Sequence, residues 1–180
     1  EKTEFREMLV RWFQFGTFCP VMRIHGCRQP AAPIVNSAGE VREQTGADNE
    51  IWSFGEEAYP ILKKFIMIRE KMRDYTRELM RQAHESGSPV IRALFYEFPE
   101  DRDCYDITDQ YLYGPDVLVC PVCHEGAMSR RVYLPAGAEW ISAHDGKAFR
   151  GGQTIEVEAP LDTLPIFLRD GKQEYLLGEI

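Results

Sequence analysis

Arg11-Trp-Phe-Gln-Phe-Gly-Thr-Phe-Cys-Pro-Val-Met-Arg-Ile-His-Gly26 decides how the rest of this chain is read. Three aromatics, Trp12, Phe13 and Phe15, crowd into its first residues. With Phe5, Met8 and Leu9 before them, they recur close to helical spacing over residues 3 to 15. Thr3 and Glu7 stand near capping-box spacing without meeting it, so the start of this helix is loosely marked, and Gly16 suits its end. Thr17 to Ile24 then reads as a short buried strand. Alternate residues on a strand point to one side, so Arg23 and His25 are expected to leave it together, into a turn at Gly26. A helix end, a short strand and a polar tip are how a (β/α)8 barrel builds part of its rim.

Working outward, residues 27 to 51 turn polar and hold Pro30, Pro33, Gly39 and Gly46, which predicts a long surface loop. Residues 56 to 85 predict a helix, with Ala58, Ile61, Leu62, Phe65, Ile66, Met72, Leu79, Met80 and Ala83 at steps of three and four. Its apolar stripe weakens between Arg69 and Asp74, where a break fits. Gly87 and Pro89 stop it. Beyond Pro89 the period changes to two. Strands are predicted at 90–98, 110–113, 117–122, 131–134, 139–141, 154–157 and 166–168, separated by Gly- and Pro-rich turns. Short strands without intervening helices point to an antiparallel sandwich.

The bulk properties agree with a folded, neutral-ligand protein. At 180 residues the chain makes one large domain or two small ones. Hydrophobic residues make up 44% and a charge of −8 argues against a nucleic-acid partner, which calls for a basic patch. No apolar run reaches membrane-spanning length and Glu1-Lys-Thr-Glu-Phe is no signal peptide, so no membrane partner is expected. A chain that starts without Met reads as processed, excised or fragmentary. Five cysteines, Cys19, Cys27, Cys104, Cys120 and Cys123, are an odd set that reads as reduced thiols and favours a reducing, cytoplasmic setting.

Several stretches in order resemble the glycoside hydrolase family 31 enzymes, the retaining α-glucosidases and α-xylosidases. They are 11–26, Trp52-Ser-Phe-Gly-Glu-Glu, Pro89-Val-Ile-Arg-Ala-Leu-Phe-Tyr-Glu-Phe-Pro99, Asp109–Val119, Arg131–Trp140 and Ala159–Gly171. The resemblance implies an α+β fragment: the last helix, strand and helix of a (β/α)8 barrel, then an antiparallel β-sandwich. Residues 1–88 would be the end of the catalytic barrel, with loop 27–51 and helix 56–85, and 89–180 the proximal C-terminal sandwich. It implies a parent exo-α-glycosidase acting on a glycoside or oligosaccharide, with no metal or organic cofactor. The family's aspartate nucleophile and acid/base lie on barrel strands before this region, so the resemblance implies that no catalytic residue is in this chain and that it is inactive alone. The remainder of the barrel is then its obligate partner; the oligomeric state is left open, as is the choice of xylose or glucose, with a slight lean to xylose.

Site residues follow from the same resemblance. His25 is carried over as binding sugar hydroxyls, since a neutral imidazole both donates and accepts. Arg23 stands equally as a sugar contact or as the partner of a carboxylate in the barrel wall. Arg28, Arg42 and Glu43 stand as sugar contacts or as a solvated loop, with the solvated reading the default. Trp12, Phe13 and Phe15 are read as core before they are read as a stacking platform. Missing barrel neighbours should leave apolar surface exposed around Phe5, Trp12 and Phe18. Asp101, Asp103, Asp106 and Asp109 read as a solvated acidic loop. Cys120-Pro-Val-Cys-His124 matches the haem-attachment pattern but sits in an apolar strand, so it is read as a core cysteine, a rim cysteine and a surface histidine. A competing reading is a non-catalytic sandwich module that binds carbohydrate or serves as structure.

Overall fold

A computed structural model describes residues 3–26 and 28–180. Cys27 lies outside the described residues. Helix α1 (Thr3–Thr17) has two apolar stripes. Val10, Phe13 and Thr17 are buried, whereas Phe5, Met8, Trp12 and Phe15 are exposed. The expected core position holds for Phe13 but not for Trp12 (77% exposed) or Phe15, and Phe18, expected at the surface, is fully buried. The reason is geometric: residues 10, 13 and 17 share one side of the helix and residues 5, 8, 12 and 15 another. The first side packs into the core, whereas the second is open apart from the Phe15 ring, which meets Tyr111 edge-on at 5.7 Å.

The strand expected over residues 17–24 does not form: Thr17 ends α1 and residues 18–26 have no regular structure. A strand needs a ladder, and no described segment pairs with this one. The expected loop 27–51 is instead mostly a hairpin of β1 (Arg28–Val35) and β2 (Val41–Ala47). Its prolines are compatible with a two-stranded ribbon, where each strand is an edge and not every N–H must donate. Asn36 closes the turn, its side-chain oxygen accepting from Ala38 N at 3.0 Å and Glu40 N at 2.9 Å. Ile51–Phe54 follows as one 3-10 turn.

The long helical run is two helices, α2 (Ala58–Lys71) and α3 (Arg73–Ser86), with the break at Met72 inside the stretch where the stripe weakens. Ala58, Leu62, Phe65, Ile68 and Met72 are all buried, at steps of four, three, three and four. Gly87, with φ of 74°, closes α3 through its N–H to Ala83 O at 3.1 Å.

Of the strand expected over 90–98, only β3 (Ile91–Arg92) is extended; α4 (Leu94–Glu97) follows. The helical turn places Leu94 and Phe98 in one core and lets Glu97 ion-pair with the buried Arg92. Glu97 also lies 3.7 Å from Arg169. The remaining strands are β4 (Tyr111–Tyr113), β5 (Val117–Val119), β6 (Ser129–Leu134), β7 (Glu139–Ser142), β8 (Ala148–Arg150), β9 (Gln153–Glu158) and β10 (Ile166–Arg169). β8 has only three residues, too short an alternation for the sequence pattern to mark.

All pairings are antiparallel, in the orders β3-β4-β5-β10-β7-β8 and β6-β9. Alternation sends Leu112, Leu118, Trp140 and Phe167 to one face of the large sheet, where they share a core with Val132 and Leu134 of the facing β6. Tyr113, Val117, Val119, Ile166 and Leu168 go to the other face, in one core with Val10, Phe13, Leu62 and Phe65. Helices and antiparallel sheets therefore stack as layers, consistent with the expected sandwich. Burial on both faces explains the unbroken apolar run at 117–119. Gln110 ties the sheets together: its amide donates to Tyr133 O and accepts from Tyr133 N, both at 2.8 Å.

The helical layer and the large sheet meet closely at Gly114. Its φ is +63°, and a Cβ there would lie 2.3 Å from the Tyr75 hydroxyl and 2.6 Å from Leu79. Only glycine satisfies both demands. No helix among the described residues is long and apolar enough to cross a membrane.

Candidate functional site

Arg23 and His25 meet where the sequence puts them side by side. Arg23 Nη2 lies 3.1 Å from His25 Nδ1, and both side chains are exposed. A guanidinium carries no acceptor, so in this hydrogen bond Nδ1 accepts and the ring proton sits on Nε2. The pair forms the polar tip of an open depression of about 790 Å³ whose walls include Phe5, Trp12, Phe15, Met22, Ile24 and Phe54. No Asp or Glu is among the described lining residues. The site is thus an aromatic surface with a donor-rich corner.

The other predicted residues separate from this corner. Arg28 lines the depression, but its guanidinium is committed to the fold: it donates to Ser53 Oγ at 2.8 Å and Asp48 O at 2.6 Å, and stacks over the Phe54 ring at 4.3 Å. It anchors the start of the hairpin rather than reading as a solvated loop residue. The side chains of Arg42 and Glu43 lie outside the described residues.

The acidic cluster is not uniformly solvated. Asp101 accepts from the Tyr133 hydroxyl at 2.8 and 2.9 Å and from Ala136 N at 2.7 Å. Burial opposes its charge, yet these donors outweigh burial and hold the carboxyl below its ordinary value. Asp109 pairs with Arg130 at 2.9 Å. Asp103 and Asp106 are exposed. Two of the four acids therefore knit the sandwich together.

Cys120 is buried and its thiol is pushed up to about 12, first by burial. Cys123 and His124 are exposed. The four described cysteines are free thiols, and the described residues hold no cluster of three His, Cys, Asp or Glu fit for a metal ion.

Sequence reasoning missed the side chains that hold α1 in place. Arg11 is buried and donates to four carbonyls: Pro160 at 3.1 Å, Thr163 at 3.0 Å, Ala127 at 3.2 Å and Ala159 at 2.8 Å. Burial lowers its pKa, against the pull of Glu7 and Asp162. Gln14 donates to Leu161 O at 2.7 Å. Both polar residues lie among the buried positions of an otherwise apolar face, the one signal that marked them.

Residues 1–79 match the family model for the glycosyl hydrolase family 31 TIM-barrel domain, and residues 87–172 match that for the family's C-terminal domain. The chain belongs to glycosyl hydrolase family 31. It is 32% identical to the α-xylosidase of Saccharolobus solfataricus over 99% of its own length and 22% of that protein's. It is 36% identical to α-glucosidase 2 of Bacillus thermoamyloliquefaciens over 97% of itself and 20% of that protein. The crystal structure of a family 31 α-xylosidase from a soil metagenome, complexed with xylose, superposes with a TM-score of 0.91 at 43% identity, covering 98% of this chain and 27% of that one. The chain spans about a fifth of the length of these curated relatives.

Proposed function

We propose that this chain is the closing portion of a retaining exo-α-glycosidase that removes terminal α-linked sugars. Residues 1–88 end its (β/α)8 barrel and 89–180 form the proximal β-sandwich. The observation that carries this reading is the Arg23–His25 pair at the polar tip of an aromatic depression with no carboxylate among its described lining residues. Retaining hydrolysis needs two carboxyl groups about 5–5.5 Å apart across the sugar. At its polar tip the depression has donors for hydroxyls, but neither carboxyl is among its described lining residues. It binds, and the catalytic pair comes from elsewhere in the barrel. With Nδ1 engaged by Arg23, His25 presents Nε2–H to a sugar oxygen, and the free N–H groups of Arg23 reach the same region. No metal or organic cofactor enters this scheme.

The α-xyloside reading comes first, because the relatives at 32% and 43% identity are named α-xylosidases. The relative named α-glucosidase 2 supports α-glucosides as the second reading. The test is an assay of the complete enzyme on nitrophenyl α-xyloside and α-glucoside. Cleavage with retained anomeric configuration is expected, and His25→Ala should lower kcat/KM about tenfold or more, the loss of one strong hydrogen bond. Cleavage of neither substrate sinks the enzyme reading. Saturable oligosaccharide binding by the 180-residue chain alone would favour the non-catalytic module.

A further inference from the structure

Four consecutive carbonyls, that of Thr17 at the end of α1 and the three that follow it, are each held by a side chain from another element. Arg69 of α2 donates from Nη1 to Thr17 O at 2.7 Å and to Cys19 O, and from Nη2 to Pro20 O at 2.9 Å. Tyr111 of β4 donates its hydroxyl to Phe18 O at 3.1 Å. A helix leaves its last carbonyls unpaired, and a left-handed glycine is the common remedy. Here Gly16 lies within the helix, so the remedy is a planar cation from α2 and a phenol from the sheet. A cation also suits the negative end of the helix dipole.

The position of this cradle matters. Arg23 is only three residue steps beyond Pro20, a reach of about 10 Å. The direction in which the chain leaves the cradle sets where Arg23 and His25 emerge. Among the described residues no ladder pairs with residues 18–26, and these side-chain bonds constrain how the segment leaves α1.

We propose that Arg69, assisted by Tyr111, is a positioning residue for the Arg23–His25 pair, fixing the 17–20 turn and through it the point at which His25 meets the sugar. This rests on the reading of His25 as a sugar contact. Arg69 does not itself touch the substrate. A lysine brings the charge but not the planar fork that serves three carbonyls at once.

The experiment is a double-mutant cycle in the complete enzyme, read as kcat/KM on nitrophenyl α-xyloside and α-glucoside. Arg69→Met should cost about a hundredfold, the scale of a misplaced binding group. Arg69→Lys should restore part of it, and Tyr111→Phe should cost about fivefold, one neutral hydrogen bond. In a His25→Ala background Arg69→Met should cost less than about threefold, because the group it positions is gone. Equal losses in both backgrounds overturn the positioning role while leaving the sugar contact standing. An unchanged kcat/KM in His25→Ala alone overturns both. Should Arg69→Met fail to fold, Tyr111→Phe completes the same cycle with the loss of a single hydroxyl.

Discussion

The two faces of α1 are alike in composition and opposite in fate. One carries Val10, Phe13 and Thr17, with Phe18 just beyond, all sealed against α2 and the large sheet; the other carries Phe5, Met8, Trp12 and Phe15 in the open. Apolarity marks both as contact surfaces and does not say what each contacts. What separates them is polar: Arg11 and Gln14, on the sealed side, spend their donors on five carbonyls between residues 127 and 163. A buried guanidinium matched to specific carbonyls fixes one partner in one register, which apolar contact alone does not. Among the described residues the open face has no such lock. Under the proposed function it meets the remainder of the barrel.

The comparison is sharpened most by Phe13→Ala, which should cost about 4 kcal/mol, as for other buried phenylalanines, read as a fall in the urea midpoint without a change in slope. Next comes Arg11→Met, which strands the carbonyls of Ala127, Ala159, Pro160 and Thr163; about 3 kcal/mol is expected by the same measurement. A cost under 1 kcal/mol, about the value of one ordinary hydrogen bond, would show that the lock is not what distinguishes the faces. Gln14→Leu removes a single donor to Leu161 O and should cost about 1 kcal/mol. Smallest is Trp12→Ala, within about 0.5 kcal/mol for this chain, since an exposed side chain has little to lose. A Trp12 loss as large as that at Phe13 breaks the comparison, because it means the open face is covered in the folded chain.

The α2–α3 run was legible in the sequence because its apolar stripe repeats for two helices, and its break falls at Met72, where the stripe thins. The sheet strands were legible because a strand covered on both faces reads as an unbroken apolar run, as at Val117–Val119. The 28–47 hairpin was not: its prolines read as loop punctuation, and a ribbon with two edges tolerates them. The 90–98 segment misled for another reason. Its β-like composition yields to a helical turn that lets Glu97 reach Arg92 and Arg169 and sinks Phe98 into the core. Of the candidate site, Arg23 and His25 come together as their spacing suggested, although the strand whose alternation suggested it does not form; Arg69 and Tyr111 were not legible, because they bond the carbonyls of residues 17–20 from distant elements.

By itself the sequence determined the element types with long periodicity, the change from helical to alternating pattern near Pro89, and the pair of polar side chains at the end of the opening stretch. These are properties of local spacing, and spacing is written in the chain. Tertiary structure alone decided which face of α1 is sealed, that residues 18–26 stay irregular, and that Arg11, Arg69 and Tyr111 spend their donors on distant carbonyls. Those outcomes depend on partners far away in sequence, and a hydrogen bond is specified by two positions where periodicity records only one.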